Sequence, residues 1–360
     1  MSKTICILVD CLSSGGAEKV ASNLSISLTN RKYKVTIVTM RNELGYSYKG
    51  KLYNFGLIKE QNSRIHSLFL FKSFFKKANF DVIIDHRIRS KFFKEFLFSK
   101  YVFYKYRVVY CVHSYDLNYY FSFIKWPKLA ILPHVKQRSF VSVSNDVHVQ
   151  LLREFKIESK RIYNYVLPKL ILKKAILPLK NIDYKYIIGV GRLTESKQFD
   201  VLISCYSVSN LVKENIKLII LGDGLEKDKL KLLISELELE NYVELLPFNK
   251  NPYNLIYNAK YLVLSSKTEG FPMTLIESLA LNVPVISFDC NSGPREIIEH
   301  EINGILVENK NKKHLTEALN KLCLNESFYK NIKENKMYLP KKFSEGYVVQ
   351  EWINLLESQR

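Results

Sequence analysis

The sequence predicts an α/β protein built from two doubly wound parallel sheets. Three observations carry that expectation. Short apolar runs alternate with helix-patterned stretches along most of the chain. The chain opens as strand, Gly-rich turn, helix and strand, a βαβ start that argues for parallel pairing. Its 360 residues, 47% of them hydrophobic, suffice for two cores of the usual size, about 100–200 residues each. The expected division is 1–168, a linker at 169–184, and 185–344.

In chain order, TICILVD and KVTIVTM read as buried strands around a helix that runs from SGGAEKV to about Asn30. Gly15 and Gly16 let the backbone come close to a ligand where that helix opens, and Ser13 or Ser14 could cap or contact it. DVIIDH and RVVYCVH are the next strands, each ending in a histidine, His86 and His113. SFVSVSNDVHVQLLREF reads as a strand, a Ser144 or Asn145 cap, and a helix. YVLPKLILKKAILPLKNIDY has two prolines and no clear period, which suits a linker.

The second half begins with a strand, a GxG turn and a helix in YKYIIGVGRLTESKQFDVLISCY. Thr194 stands where a dinucleotide fingerprint needs its third glycine, so that reading fails. The turn instead offers Arg192 and Lys197, two cations flanking a helix entry and suited to a diphosphate leaving group. A GDG turn with Gly222, the strand NYVELL and the segment PFNKNPYNLI follow, and the tail from about Lys312 reads as helices.

The stretch Tyr261 to Glu299 is the densest in chemistry. YLVLSS is a strand, Thr268-Glu269-Gly270-Phe271-Pro272 a turn, MTLIESLAL a helix and VPVISF a strand. Glu269 lies in the turn and Glu277 about two turns into the helix. Both carboxylates can address the carboxyl ends of the strands, where open α/β sheets bind ligands. Free N–H groups near Met273, Thr274 and Leu275 form an anion site in the same place. Hydroxyl acceptors on either side of a phosphate site suit a nucleotide sugar. Two glutamates alone more often mean a solvated turn and an exposed helix face.

The surrounding sequence decides. EGFPMTLIE, followed by a buried strand and GPREII, resembles the signature of family 4 glycosyltransferases. The resemblance spans nearly the whole chain, strongest from Tyr186 to Ile298 and weakest from Lys49 to Val109. It implies the GT-B fold, two Rossmann-like domains facing across a cleft, and sugar transfer with retention of anomeric configuration. It implies that Glu269 contacts hexose hydroxyls and Glu277 the ribose, with Gly270, Phe271, Pro272, Met273, Thr274 and Leu275 around the donor. SGGAEKV matches the family's first loop, which puts Gly15 and Gly16 across from the diphosphate. GRLTESKQFD matches its donor-phosphate motif, giving Arg192 and Lys197 that role. His113 falls where the family has a histidine that touches the transferred sugar. Gly222 would shape the cleft wall, while Phe248 and Asn249 would border the base. His86 has no family counterpart and is left as an acceptor-side candidate. The family usually shows Asn then Gly or Pro near the linker; Asn164 fits and Tyr165 departs. A final helix, within about 345–360, would pack back on the first domain.

The implied reaction moves a hexose or N-acetylhexosamine from a nucleoside diphosphate, UDP first among them, to a sugar hydroxyl on a polyprenyl-diphosphate acceptor, as in O-antigen or capsule assembly. Catalysis would rest on His113, Glu269, Arg192 and Lys197. No DxD motif is present, so neither metal nor cofactor is expected. Rival readings are a nucleotide-sugar epimerase or hydrolase on the same fold, and a nonenzymatic basic module for RNA or lipid.

Composition bears on partners. Net charge is 54 − 35 = +19, which draws nucleic acid, anionic lipid or phosphorylated substrates alike. From Lys72 to Arg107 ten basic residues stand against three acidic ones and alternate with aromatics. Within about 64–107, this pattern suits an anionic membrane surface, and equally a set of core aromatics with a solvated basic face. Membrane is the partner expected there, with no nucleic acid. No apolar run is long enough to span a bilayer, and TICILVD is too short for a signal peptide. The six scattered cysteines read as reduced and buried. The expected location is the cytoplasm, at the inner face of the membrane.

Overall fold

The computed structural model describes residues 3–179, 182–334 and 339–358. Residues 180 and 181 of the expected linker, and 359 and 360 of the C-terminal segment, lie outside the described residues. The chain divides into two compact units, Met1–Tyr165 with Glu345–Arg360, and Val166–Ser344.

Unit 1 contains β1 (Thr4–Val9), β2 (Lys34–Thr39), β3 (Lys51–Asn54), β4 (Val82–Asp85), β5 (Arg107–Val112), β6 (Arg138–Ser142) and β7 (Ser159–Arg161). They form one parallel sheet in the order β3-β2-β1-β4-β5-β6-β7. Ile7 of β1 lies opposite both Ile37 and Ile84, and the inner strands are almost wholly buried, as expected of apolar runs covered on both faces. Chain direction across the sheet reverses between β1 and β4. The loops carrying Gly15, His86 and His113 all leave the same carboxyl edge.

The aromatics of the aromatic-basic stretch divide between the core and the exposed surface. The Arg64–Ala78 helix buries Ser67, Phe71 and Phe75 at four-residue intervals. The Phe71 ring lies 4.8 Å from Phe75 and 5.4 Å from Phe98, and Phe75 lies 5.2 Å from Phe103. Ile65, Phe69, Phe93, Tyr101 and Tyr104 stay exposed. Not every basic residue faces out, since Arg87 and Arg89 are buried and Arg107 donates to the Leu355 carbonyl at 2.7 Å. Arg87 lies between Asp85 at 2.9 Å and Glu95 at 2.8 Å, all inside the unit. Burial pushes the Asp85 carboxyl up, but Arg87 and Arg89 more than reverse that and hold it below the ordinary carboxylate range.

The Glu345–Glu357 helix completes unit 1. Ser27 donates to Glu345 at 2.8 Å, and Lys3 pairs with Glu357 at 3.0 Å. Tyr165 is fully buried, and its carbonyl accepts from the Asn23 side chain at 3.0 Å. A large core side chain thus occupies the position where the family usually carries Gly or Pro.

Unit 2 contains β8 (Tyr186–Val190), β9 (Lys217–Leu221), β10 (Val243–Leu246), β11 (Leu262–Leu264), β12 (Val285–Phe288) and β13 (Gly304–Val307), parallel in the order β10-β9-β8-β11-β12-β13. Here the reversal falls between β8 and β11. The stretch read as a linker is partly a helix, Pro168–Ala175, which starts on its proline and buries Ile171 and Ala175. It packs against the Tyr253–Asn258 and Met273–Ala280 helices. Its apolar positions four apart were hidden by the two flanking prolines.

Replacing Arg87 by Met strands two buried carboxylates. Urea unfolding should show unit 1 destabilised by about 3–5 kcal/mol. Both tryptophans, Trp126 and Trp352, lie in unit 1, so their fluorescence reports that unit alone.

Candidate active site

In unit 2 the groups expected to handle the donor cluster at the carboxyl edge, around the reversal between β8 and β11. After β8 the chain makes a tight loop that ends in a short turn at Glu195–Lys197, and Gln198 takes the left-handed conformation, φ 50°. This loop is tied to the end of β11. Ser265 Oγ donates to the Lys197 carbonyl at 2.9 Å, and Lys267 N–H donates to that of Ser196 at 2.8 Å. Lys197 Nζ thereby meets Glu269 Oε1 at 2.5 Å, and both side chains are largely enclosed. Arg192, in the same loop, is exposed and has no side-chain hydrogen bond or ion pair among the described residues. One cation is therefore neutralised by a carboxylate and the other is free.

Glu269 is fixed from its other side by β12. Its N–H donates to the Asn291 carbonyl at 2.9 Å, and Ser292 Oγ donates to that of Gly270 at 2.7 Å. Gly293 has φ 102°, and a Cβ there would stand 2.5 Å from Pro272 Cδ, so the loop can cross the start of the next helix only as glycine. Pro272 precedes the Met273–Ala280 helix, and Phe271 packs on Phe343 with ring centroids 5.3 Å apart. The Leu275 N–H donates to the Pro272 carbonyl at 3.2 Å, which removes it from the expected anion site. The N–H groups of Met273 and Thr274 keep no protein acceptor among the described residues. Glu277 is the fifth residue of this helix, so it stands just over one turn in rather than two. It is 6% exposed and accepts from Tyr253 Oη at 3.1 Å.

Gly222 ends β9. Its N–H bonds the Leu246 carbonyl at 3.0 Å, and a Cβ would overlap the carbonyl oxygen of Gly191, so packing by itself demands glycine there. Phe248 and Asn249 are exposed beyond β10, three strands from β11, about 14 Å at ordinary strand spacing.

In unit 1, Gly15 precedes the Gly16–Asn30 helix with φ 98°, which an L side chain rarely adopts. Neither expected serine caps it: the helix start has no side-chain cap, and Ser13 donates to Glu43 at 3.0 Å instead. His86 and His113 meet, Nδ1 to Nε2, at 2.9 Å. His86 Nε2 faces the thiol of Cys111 at 4.0 Å, while the His113 N–H donates to Tyr120 Oη at 3.0 Å. Burial, with Arg89 adding to it, pushes His86 down to about 4 and leaves His113 well below the usual histidine range, so the pair is neutral at pH 7. Ligand atoms of His86, Cys111 and His113 lie within 4.8 Å of one another, a grouping no sequence spacing revealed. The two nitrogens stand at a hydrogen-bond distance, closer than the roughly 3.3 Å that two imidazoles keep on one tetrahedral zinc. The buried Arg89 guanidinium, which bonds the Cys111 carbonyl at 2.9 Å, adds a repelling charge.

Comparison with known proteins settles the family. The family described as Glycosyltransferase Family 4 matches residues 14–166, and Glycosyl transferases group 1 matches 176–337. The chain belongs to the family 4-like glycosyltransferases of GT-B fold. An Erwinia amylovora relative, the amylovoran biosynthesis glycosyltransferase AmsD, is 27% identical over 97% of this chain and 98% of its own length. A Campylobacter jejuni relative is 34% identical over 57% of this chain: N-acetylgalactosamine-N,N'-diacetylbacillosaminyl-diphospho-undecaprenol 4-alpha-N-acetylgalactosaminyltransferase. The match spans only 56% of that relative's length. Anabaena HepE, solved in complex with UDP and glucose, superposes with a TM-score of 0.76 over 99% of this chain and 100% of its own, at 18% identity, a likeness of fold.

For this glycosyltransferase, sequence reasoning named His86 as an acceptor-side candidate but missed the other supporting groups: Tyr253 behind Glu277, Ser265 behind Lys197, and Cys111 beside His86. Only strand-end position hinted at His86. The others are ordinary residues until the fold brings them together.

The neutral histidines give a pH signature. The unfolded chain takes up protons near the ordinary histidine value of 6.5, whereas folded His86 holds out to about 4 and His134 to about 3. Stability of unit 1 is thus complete above 6.5 and should decline as pH falls toward 4. Tryptophan-monitored melting across that range should show the decline, and His86→Phe should make it shallower, with His113 and His134 keeping the remainder.

Proposed function

We propose that this glycosyltransferase moves a hexose or N-acetylhexosamine, with retention, from a nucleoside-diphosphate sugar to a sugar hydroxyl on a lipid-linked acceptor in bacterial surface-polysaccharide synthesis. UDP is the first-choice nucleotide and a polyprenyl diphosphate the first-choice anchor. The observation that carries this reading is the Lys197–Glu269 contact at the β8/β11 reversal, beside an unpaired Arg192 and the open N–H groups of Met273 and Thr274. Two cations and two N–H donors suit a diphosphate, and the adjoining carboxylate suits sugar hydroxyls. HepE, named in complex with UDP and glucose, and the Campylobacter relative, named for a diphospho-undecaprenol acceptor, support the donor and acceptor classes.

In this reading the bond from anomeric carbon to phosphate oxygen breaks as the acceptor oxygen bonds the same carbon from the same face. The departing phosphate oxygen takes the acceptor's proton. Arg192, Lys197 and the helix start stabilise the charge that grows on the diphosphate. These protein cations do the work a metal does elsewhere, so turnover is metal-independent. Glu269 orients the sugar and Glu277 accepts from the ribose, while Phe248 and Asn249 border the base. In unit 1, Gly15 and Gly16 take a role toward the donor's diphosphate and His113 the acceptor-side role.

The protein works at the inner face of the cytoplasmic membrane, held by the exposed Phe69, Phe93, Tyr101 and Tyr104 among lysines. Among the described residues no helix is long and apolar enough to cross a membrane.

Glu269→Gln and Lys197→Ala should each cut transfer by at least about 10²-fold with far-ultraviolet circular dichroism unchanged. Wild-type turnover in either variant would remove that side chain from the reaction. Replacing Phe69 and Phe93 together by Ser should weaken co-sedimentation with phosphatidylglycerol vesicles at least about tenfold, with transfer to a water-soluble acceptor unaltered.

A further inference from the structure

The buried side of Glu277 holds a group to which no role has been given. Tyr253 is 2% exposed, and its phenol reaches Glu277 Oε1 at 3.1 Å. Its hydroxyl is the donor, because a carboxylate can only accept. The backbone that carries Tyr253 is tied down on two sides. Tyr186 on β8 donates to the Leu255 carbonyl at 2.7 Å, and Asn251 donates to the Lys174 carbonyl at 3.1 Å. The Tyr253–Asn258 helix is in this way anchored both to the sheet and to the Pro168–Ala175 helix. With the backbone held in this way, burial among its neighbours keeps the ring in place.

A glutamate on a helix turns broadly about its last torsion, so its carboxylate plane is poorly set by the backbone alone. A fixed donor on one oxygen sets that plane, and a carboxylate has lone pairs enough to accept from further hydroxyls as well. We propose that Tyr253 is the positioning residue for ribose recognition: it orients Glu277 so that the carboxylate presents its other oxygen to the 2′ and 3′ hydroxyls of the donor nucleotide. The inference rests on the reading of Glu277 as the ribose acceptor. The phenol itself touches no substrate. It converts a buried carboxylate into an aimed one, so that the enzyme distinguishes a ribonucleotide from one lacking the diol.

The test is a ratio of affinities. Of UDP, GDP and ADP, the diphosphate that wild type binds most tightly is titrated by calorimetry alongside its 2′,3′-dideoxy form. Wild type should prefer the ribose form at least about tenfold, the worth of one charge-assisted hydrogen bond. Tyr253→Phe, which keeps the ring and removes the donor, should lose most of that preference by weakening the ribose form alone. Glu277→Gln should do the same, and the double variant should lose no more than either single change. If Tyr253→Phe weakens both forms equally, or leaves both as they were, Tyr253 is a packing residue and the proposal falls. If Glu277→Gln keeps the full preference, the ribose reading of Glu277 fails and takes the proposal with it. If Glu277→Gln loses the preference while Tyr253→Phe keeps it, Tyr253 alone is eliminated. Should Tyr253→Phe melt early, the same ratio measured at a lower temperature, well inside its folded range, decides between these outcomes.

Discussion

The contact between Lys197 and Glu269 depends on a constraint of topology. The two residues are 72 positions apart. They meet because β8 and β11 are neighbours in a sheet whose other strands were laid down outward on either side. In a parallel sheet every strand ends at the same edge, and only at the reversal do two successive loops part, leaving room for a ligand. The sequence around each residue serves that meeting: Gly191 and Gly222 let the β8 and β9 ends approach, and Ser265 bonds the Lys197 carbonyl. A lysine and a glutamate at a solvated surface would contribute little. Largely enclosed and aimed by three loops, they become a preorganised pair whose charges are already partly desolvated.

Unit 1 meets a related problem with a different balance of charges. Its β4 end places Asp85, Arg87 and Arg89 inside the protein, where isolated charges are costly. Arg87 is met by two carboxylates, and Arg89 donates to the carbonyls of Asp85, Arg87 and Cys111. These bonds hold the β4 and β5 ends in register. That register sets the 2.9 Å contact between His86 and His113, because the two rings extend from those same strand ends. Burial then keeps both rings neutral, so that at pH 7 each has one proton to give and one lone pair to receive. Charge placed beneath the edge thus yields uncharged, oriented imidazoles upon it.

How much of this was legible follows the physics of each signal. Apolar runs bounded by turn residues announce strands even when short, as at the three residues of β11, and ten were readable. The three that were not are β3, β7 and β13, of four, three and four residues. Ser159, Lys160 and Arg161 have no apolar pattern, and join the sheet through backbone pairing to β6 alone. The Pro168–Ala175 helix was misread because its prolines resemble linker punctuation until a proline is seen at the first turn. The site residues were legible where a loop motif spans them, as in EGFPMTLIE and GRLTESK. Their supports were not, since Tyr253 lies 24 residues from Glu277 and nothing in either segment refers to the other. The expected position of Glu277 was off by nearly a turn because the helix starts only after Pro272.

The same sorting explains what the large positive charge does. Of the ten basic residues from Lys72 to Arg107, Arg87 and Arg89 are interior and Arg107 bonds the C-terminal helix, while Asp85 and Glu95 are drawn inside with Arg87. Folding therefore takes in two arginines with two carboxylates, a neutral set. The carboxylates except Asp81 turn inward, and the lysines turn outward beside Phe69, Phe93, Tyr101 and Tyr104. Two buried arginines cancel two buried carboxylates, so the net positive charge of the stretch is carried wholly by its outward residues. A surface of this kind suits the proposed contact with anionic headgroups, by its charge at long range and by its rings at short range. It is a product of packing rather than of composition, since the phenylalanines that stay outside are those left over once Phe71, Phe75, Phe98 and Phe103 have filled the core.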